Sequence, residues 1–311
     1  MERSGPAIGQ QEGDVETQRV GIVGVGHMGG RISRRIMAAG EDVIGHDSVP
    51  DRVRGASVPA AASLAELVRG ADVVLLSLPD SPVIESVVLG EEGVVAHCRR
   101  GQVVVDLSTA SPTSSVRIHD ELASLGVAFL DAGISGGAKG AEAGTLTLMV
   151  GGEREALERV QPLLRHFSAH TFHMGPSGSG HTAKLLNNFL NGISLAATAE
   201  VMVAARKAGL DLEQFLDVLN ASSGVNFATL NRFPSIVRGD YLEGGLTGKL
   251  MAKDLLLYLE HVARLGVPSL TGPACLATFE LTNALGYADQ ISNRVVDGLG
   301  DLAGGVRVHD S

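Results

Sequence analysis

Six short apolar runs punctuate the first half of the chain: "RVGIVG", "EDVIGHD", "ADVVLLSLP", "GQVVVDLS", "VAFLDAG" and "TLTLMVGG". They lie between Arg19 and about His173, separated by stretches whose apolar residues recur at helical spacing. That alternation predicts a parallel sheet with crossover helices. The runs are apolar throughout rather than alternating, as strands covered on both faces require. After about Gly180 the β-branched runs stop, and helical segments from Ala183 to Ala208, Leu212 to Ala221 and Leu250 to Leu265 take over. The Gly/Ser/Pro cluster "GPSGSGH", residues 175–181, marks the change. The expected organisation is a tail over 1–18, an α/β domain with a mostly parallel, doubly wound sheet over 19–180, and an all-α domain over 181–311 that begins with a long interdomain helix.

That long helix departs from a simple amphipathic pattern. Lys184, Asn187, Asn188 and Asn191 fall on one narrow arc, with Leu185, Leu186, Phe189, Leu190 and Ile193 opposite. Solvated faces favour Glu, Lys and Arg, whereas asparagine is a poor helix former, so three of them need another reason. Further on, the polar arc gives way to Leu195, Ala199 and Met202, and the helix becomes apolar nearly all round, as expected between domains or subunits. A lysine at the mouth of a buried helix is a candidate acid/base, because desolvation disfavours its ammonium form. The ordinary alternative is a surface lysine snorkelling from an amphipathic helix.

Composition narrows the function. The chain has 311 residues, 44% of them apolar, enough for two domains with sizeable cores. A formal net charge of -10 argues against nucleic acid as a partner, since neutralising phosphates takes clustered Lys and Arg. Cys98 and Cys275 are far apart and outside any CxxC pattern, so no disulfide framework or metal site is expected, which fits a reducing cytoplasm. The first eighteen residues are polar and do not look like a signal peptide; a disordered tail is expected there. No run of about 18 uncharged apolar residues is present, so no membrane span is expected.

The clearest chemistry lies in "RVGIVGVGHMGGRISRRIMAAG". Gly24, Gly26 and Gly29 stand between a strand and a helix, where the first glycine permits the tight turn, the second lets a pyrophosphate approach, and the third lets helix and strand pack closely. The loop Gly24, Val25, Gly26, His27, Met28 and Gly29 is therefore a candidate dinucleotide cradle in a Rossmann-like domain. Asp47 follows about 20 residues later, at the end of the next strand, where a carboxylate binds ribose hydroxyls and repels a 2′-phosphate. NAD is favoured; NADP remains open because Arg52 and Arg54 lie just beyond, either as surface charges or in reach of a phosphate.

Other loops are less telling alone. "SGG" at residues 135–137 can converge its N–H groups on an anion or form an ordinary turn. Ser108 and Thr109 follow a strand end, where ligands lie in open α/β sheets. Lys253-Asp254 reads by itself as a solvated helical pair.

Taken together, "GVGHMG", "LPDSP", "DLSTASP", "DAGISGGAKGAEAGTLTLMVGG", "GHTAKLLNN" and "KDLLLY" resemble, in order and rough spacing, the β-hydroxyacid dehydrogenases. That family includes 3-hydroxyisobutyrate dehydrogenase and the tartronate semialdehyde and glyoxylate reductases. The resemblance spans about Arg19 to Leu299. It implies reversible, NAD(P)-dependent hydride transfer between a short 3-hydroxy acid and a carboxylate-bearing semialdehyde. It further implies cofactor contacts from Leu78-Pro79, Thr109 and Lys253, a substrate carboxylate held by Ser135, Gly136 and Gly137, Lys184 as the catalytic residue and Asn188 beside it at the substrate. Two departures concern the pocket: Leu246 stands where relatives commonly carry an aromatic, and Gly133 replaces the proline of "DAPVSGG". Imine reductases share the architecture but usually carry Asp or Tyr in place of Lys184, and a non-catalytic, cofactor-binding assembly protein of the same fold would be expected to lose the lysine too. The apolar helices of the second half, including Ile193 to Ala205, predict a homodimer or homotetramer.

Overall fold

The computed structural model describes residues 18–309. Of the expected tail, all but Gln18 lies outside the described residues.

Seven strands form one sheet in the order β2-β1-β3-β4-β5-β6-β7. They are β1 (Arg19–Val23), β2 (Asp42–His46), β3 (Val73–Leu76), β4 (Val103–Asp106), β5 (Ala128–Ser135), β6 (Leu146–Gly151) and β7 (Ser168–Gly175). Every pairing is parallel except β5 with β6, so the sheet is mostly parallel. Helices cover both faces, which is why β3 and β4 are buried at every position. One side of the sheet packs Ile22, Leu75 and Val105 against Ile32 and Ile36 of the helix Gly29–Ala38. The other packs Val74, Leu76 and Phe129 against Leu67 and Ile84. Each fully buried aliphatic side chain contributes about 1.5–3 kcal/mol.

β7 is absent from the sequence reading for a physical reason. It is an edge strand with the mixed sequence SAHTFHMG, largely open to solvent, and an edge strand needs no continuous apolar run.

After Gly175 the chain turns through Gly178 into the helix Ser179–Lys207 and then stays helical, with Leu212–Asn220, Gly248–Arg264, Gly272–Thr282 and Val295–Leu302 as its larger members. Leu195, Ala199, Met202, Phe233 and Phe279 form the core of this half. By length and composition alone, Ser179–Lys207 could cross a membrane, contrary to the sequence expectation. About half of it faces protein instead: Leu185, Leu195, Ala199 and Met202 are fully buried, whereas Leu186, Leu190 and Val201 are exposed. The same helix starts against the sheet and ends in the helical half. At its start, a Cβ on Gly180 would lie 2.1 Å from the Asp131 carbonyl oxygen and 2.5 Å from that of Met149, so only glycine allows this approach.

Candidate active site

Strand order reverses around β1, and in open α/β sheets the crevice outside the carboxyl ends at such a switch point takes the ligand. All the candidate loops follow carboxyl ends of neighbouring strands. Gly24 turns at φ +90, with a Cβ position 2.2 Å from the Ser77 carbonyl oxygen. A Cβ on Gly29 would lie 1.9 Å from the Gly24 carbonyl oxygen, whereas one on Gly26 meets nothing within 4 Å. The first and third glycines are thus demanded by the protein's own packing, and the second faces open space. The N–H groups of Gly26, His27 and Met28 make no hydrogen bond among the described residues. Open space and free donors at the start of a helix are what a pyrophosphate requires, so the residues fit a dinucleotide.

Asp47 is buried beside this loop. One carboxylate oxygen accepts from Val25 N at 2.9 Å; the other accepts from Val49 N at 2.8 Å and lies 3.4 Å from Arg52 Nη1. It therefore ties the glycine loop to the turn after β2. Arg54 pairs with Asp51. Across the crevice, Leu78 N donates to Ser108 Oγ at 2.9 Å, joining the loops after β3 and β4.

The helical half closes over these loops through Lys253. Its Nζ donates to the carbonyl oxygens of Pro79, at 3.1 Å, and Thr109, at 2.9 Å, and lies 3.1 Å from Asp254 Oδ1. Lys253, Pro79 and Thr109, expected to share the cofactor, are thus brought together. Asp254 is buried, and its Oδ2 accepts from Asn188 Nδ2 at 2.5 Å. A carboxylate only accepts, so this bond fixes the Asn188 amide with its oxygen turned the other way.

Lys184 is 8% exposed and Asn188 4%. The lysine amine makes no hydrogen bond among the described residues. Burial pushes it down to about 8, with the Asp254 carboxylate opposing and Lys253 assisting. Asn187, on the same arc, is exposed, and Asn191 is half-buried against Arg232.

Ser135 ends β5, and Gly136 and Gly137 follow at φ +122 and +61. A Cβ on Gly137 would meet nothing within 4 Å, so this loop also faces open space. Gly133 lies behind it. A Cβ there would be 2.4 Å from Lys184 Cβ, which accounts for glycine at this position: it lets the lysine's helix lie directly on β5.

Three buried groups escape a reading of the sequence alone. Asp131 accepts from Gly178 N at 2.7 Å and His181 N at 2.8 Å, anchoring the start of the lysine's helix. His181 is fully buried, with Nδ1 2.7 Å from Ser115 Oγ and Nε2 4.0 Å from the Asp106 carboxylate. Burial raises Asp106, with His181 pulling the other way. The available signal is a carboxylate inside an apolar run, as in "VVVD" and "FLDAG".

Two family models match the chain. Residues 19–175 match the NAD binding domain of 6-phosphogluconate dehydrogenase, and residues 178–297 match the model described as NAD-binding of NADP-dependent 3-hydroxyisobutyrate dehydrogenase. The chain belongs to the β-hydroxyacid dehydrogenase family of NAD(P)-dependent hydroxyacid oxidoreductases. It is 37% identical to the NAD-dependent L-serine dehydrogenase of Pseudomonas aeruginosa, covering 88% of this chain and 95% of that one. Against the 2-(hydroxymethyl)glutarate dehydrogenase of Eubacterium barkeri the identity is 32%, covering 89% and 93%. Among solved structures, 3-hydroxyisobutyrate dehydrogenase of Mycobacterium tuberculosis with L-serine superimposes with a TM-score of 0.80 at 30% identity, covering 91% of this chain and 99% of that one.

Proposed function

We propose that this chain oxidises a short 3-hydroxy acid reversibly with NAD, and that Lys184 is its general acid/base. The carrying observation is a buried lysine whose amine makes no hydrogen bond among the described residues and is held near pKa 8. When bound, the nicotinamide supplies hydride acceptance from the carbinol carbon in oxidation and hydride donation in reduction. Neutral Lys184 takes the hydroxyl proton as the alcohol becomes a carbonyl. In the reverse direction the ammonium returns it. Asn188, its amide nitrogen held by Asp254 and its oxygen 3.4 Å from Asn187 Nδ2, orients lysine and substrate from the next turn of the same helix. Ser135, Gly136 and Gly137 hold the substrate carboxylate through backbone N–H groups, which fixes the reacting carbon and supplies the orientation that makes transfer fast.

Asp47 supports NAD over NADP, since its carboxylate repels a 2′-phosphate and Arg52 is already engaged with it. Two free cysteines, Cys98 and Cys275, support a reducing compartment such as the cytoplasm. Leu186, Leu190 and Val201 lie exposed along the long helix and support a homodimer or homotetramer assembled on it.

The substrates of the relatives set the test: L-serine, 3-hydroxyisobutyrate and 2-(hydroxymethyl)glutarate, each with NAD and NADP, followed by absorbance of the reduced cofactor. At least one acid is oxidised with NAD, and Lys184→Ala lowers kcat by about 10²–10⁴-fold. Turnover retained by Lys184→Ala contradicts the proposal.

A further inference from the structure

Among the described residues, Arg232 is a cation without a counterion. Its Nη1 donates to Asn293 Oδ1 at 2.7 Å and its Nη2 to Asn191 Oδ1 at 2.8 Å, and the guanidinium lies 5.8 Å from the Phe227 ring centroid. No acidic side chain pairs with it among the described residues. A guanidinium carries five N–H donors, so three are left without a protein partner among the described residues. Other arginines in this half are treated differently: Arg294 pairs with Asp297 and Glu243, and Arg307 with Asp301. Burial pushes the Arg232 guanidinium down to about 10, so it is still charged at neutral pH. Desolvating a cation against neutral amides alone is costly, and an arriving anion would relieve that cost.

Its place ties it to the active site. Asn191 follows Lys184 by seven residues on the same helical arc, a separation of about 10 Å along the axis. Asn293, the other partner, is buried and donates to the Tyr241 carbonyl oxygen at 2.8 Å. Tyr241 opens the segment that reaches across to the cofactor loop, where the Cβ position of Gly244 lies 3.8 Å from His27 Nε2. Arg232 is therefore held between the lysine's helix and the strap that crosses the cleft.

We propose that Arg232 receives a second carboxylate on the substrate, so that the preferred 3-hydroxy acid is a dicarboxylate. This rests on the reading of Lys184 as the group that meets the carbinol. A substrate met at its carbinol by Lys184 and at a distal carboxylate by Arg232 would lie along the helical arc that carries Lys184 and Asn191. The planar fork suits such a group, because it grips a carboxylate with two parallel N–H bonds.

The test compares wild type, Arg232→Gln and Arg232→Lys on 2-(hydroxymethyl)glutarate and 3-hydroxyisobutyrate, and measures calorimetrically the binding of glutarate to the NAD-saturated protein. Wild type favours the dicarboxylate in kcat/KM by about tenfold or more. Arg232→Gln loses about 100-fold on it, chiefly through KM, and at least ten times less on the monocarboxylate; Arg232→Lys recovers part of the loss. Equal losses on both acids, or a wild-type preference for the monocarboxylate, overturn the proposal. If neither acid is oxidised while glutarate binds in an Arg232-dependent way, the dicarboxylate site stands and the dehydrogenase reading falls. Glutarate that fails to bind, or binds equally well to Arg232→Gln, overturns the site even if 3-hydroxyisobutyrate is oxidised.

Discussion

Lys184 is a residue whose burial costs stability and supplies chemistry. Its folded value of about 8 lies below the 10.5 of a free lysine, so the unfolded chain holds the proton more tightly. Between those two values the unfolded state binds more protons and stability rises with pH; below about 8 the full cost is present, roughly 3 kcal/mol. Lys184→Met removes that cost and is expected to raise the denaturation midpoint at pH 7 while abolishing turnover. A variant no more stable than wild type at pH 7 means the amine is well solvated after all. The lysine and its asparagines were legible as an arc at helical spacing, because a single helix defines them. Asp254 was legible only as a neighbour of Lys253. Its bond to Asn188 joins residues 66 apart and depends on how two helices meet, which no local pattern encodes.

At the level of elements, two glycines decide how closely the long helix lies on the sheet. Gly180 meets backbone atoms of β5 and β6, which cannot rotate away, so Gly180→Ala displaces the helix start and is expected to cost about 3 kcal/mol along with most of the activity. Gly133→Ala meets Cβ and Cγ of Lys184 first and the Gly180 carbonyl oxygen at 3.3 Å, and is expected to reduce kcat by displacing the lysine as well as to lower stability. Thermal melts beside kinetics check both. The sheet was legible because strands buried on both faces are apolar at nearly every position, and the glycine cradle was legible from its spacing. The seventh strand was not, since one of its edges is unpaired and its faces are mostly exposed. The pairing of β5 with β6 was also beyond the sequence: both runs read as buried strands, and direction is set by the helix Gly137–Ala143 that joins them.

Over the whole molecule, the two halves meet through polar contacts of His181, Arg264 and Lys253, of which Lys253 makes two to the loops after β3 and β4. Lys253→Met is expected to raise KM for NAD by about tenfold, by analogy with the loss of charged hydrogen bonds, while leaving the fold intact. The exposed stripe on the long helix, with Leu190 63% exposed, is expected to be covered in an oligomer. Sedimentation at micromolar concentration checks this, and a strictly monomeric species counts against it. The substrate's identity was the least legible feature, because Arg232 has no motif of its own and becomes distinctive only once its partners prove to be amides.

The most direct test of the account is the pH dependence of kcat in both directions, for wild type and Lys184→Ala. Oxidation should rise with pH through about 8, as the amine loses its proton, and reduction should fall through the same point. Both inflections should vanish with the lysine. Profiles that Lys184→Ala leaves unchanged in shape and height would show that another group moves the proton.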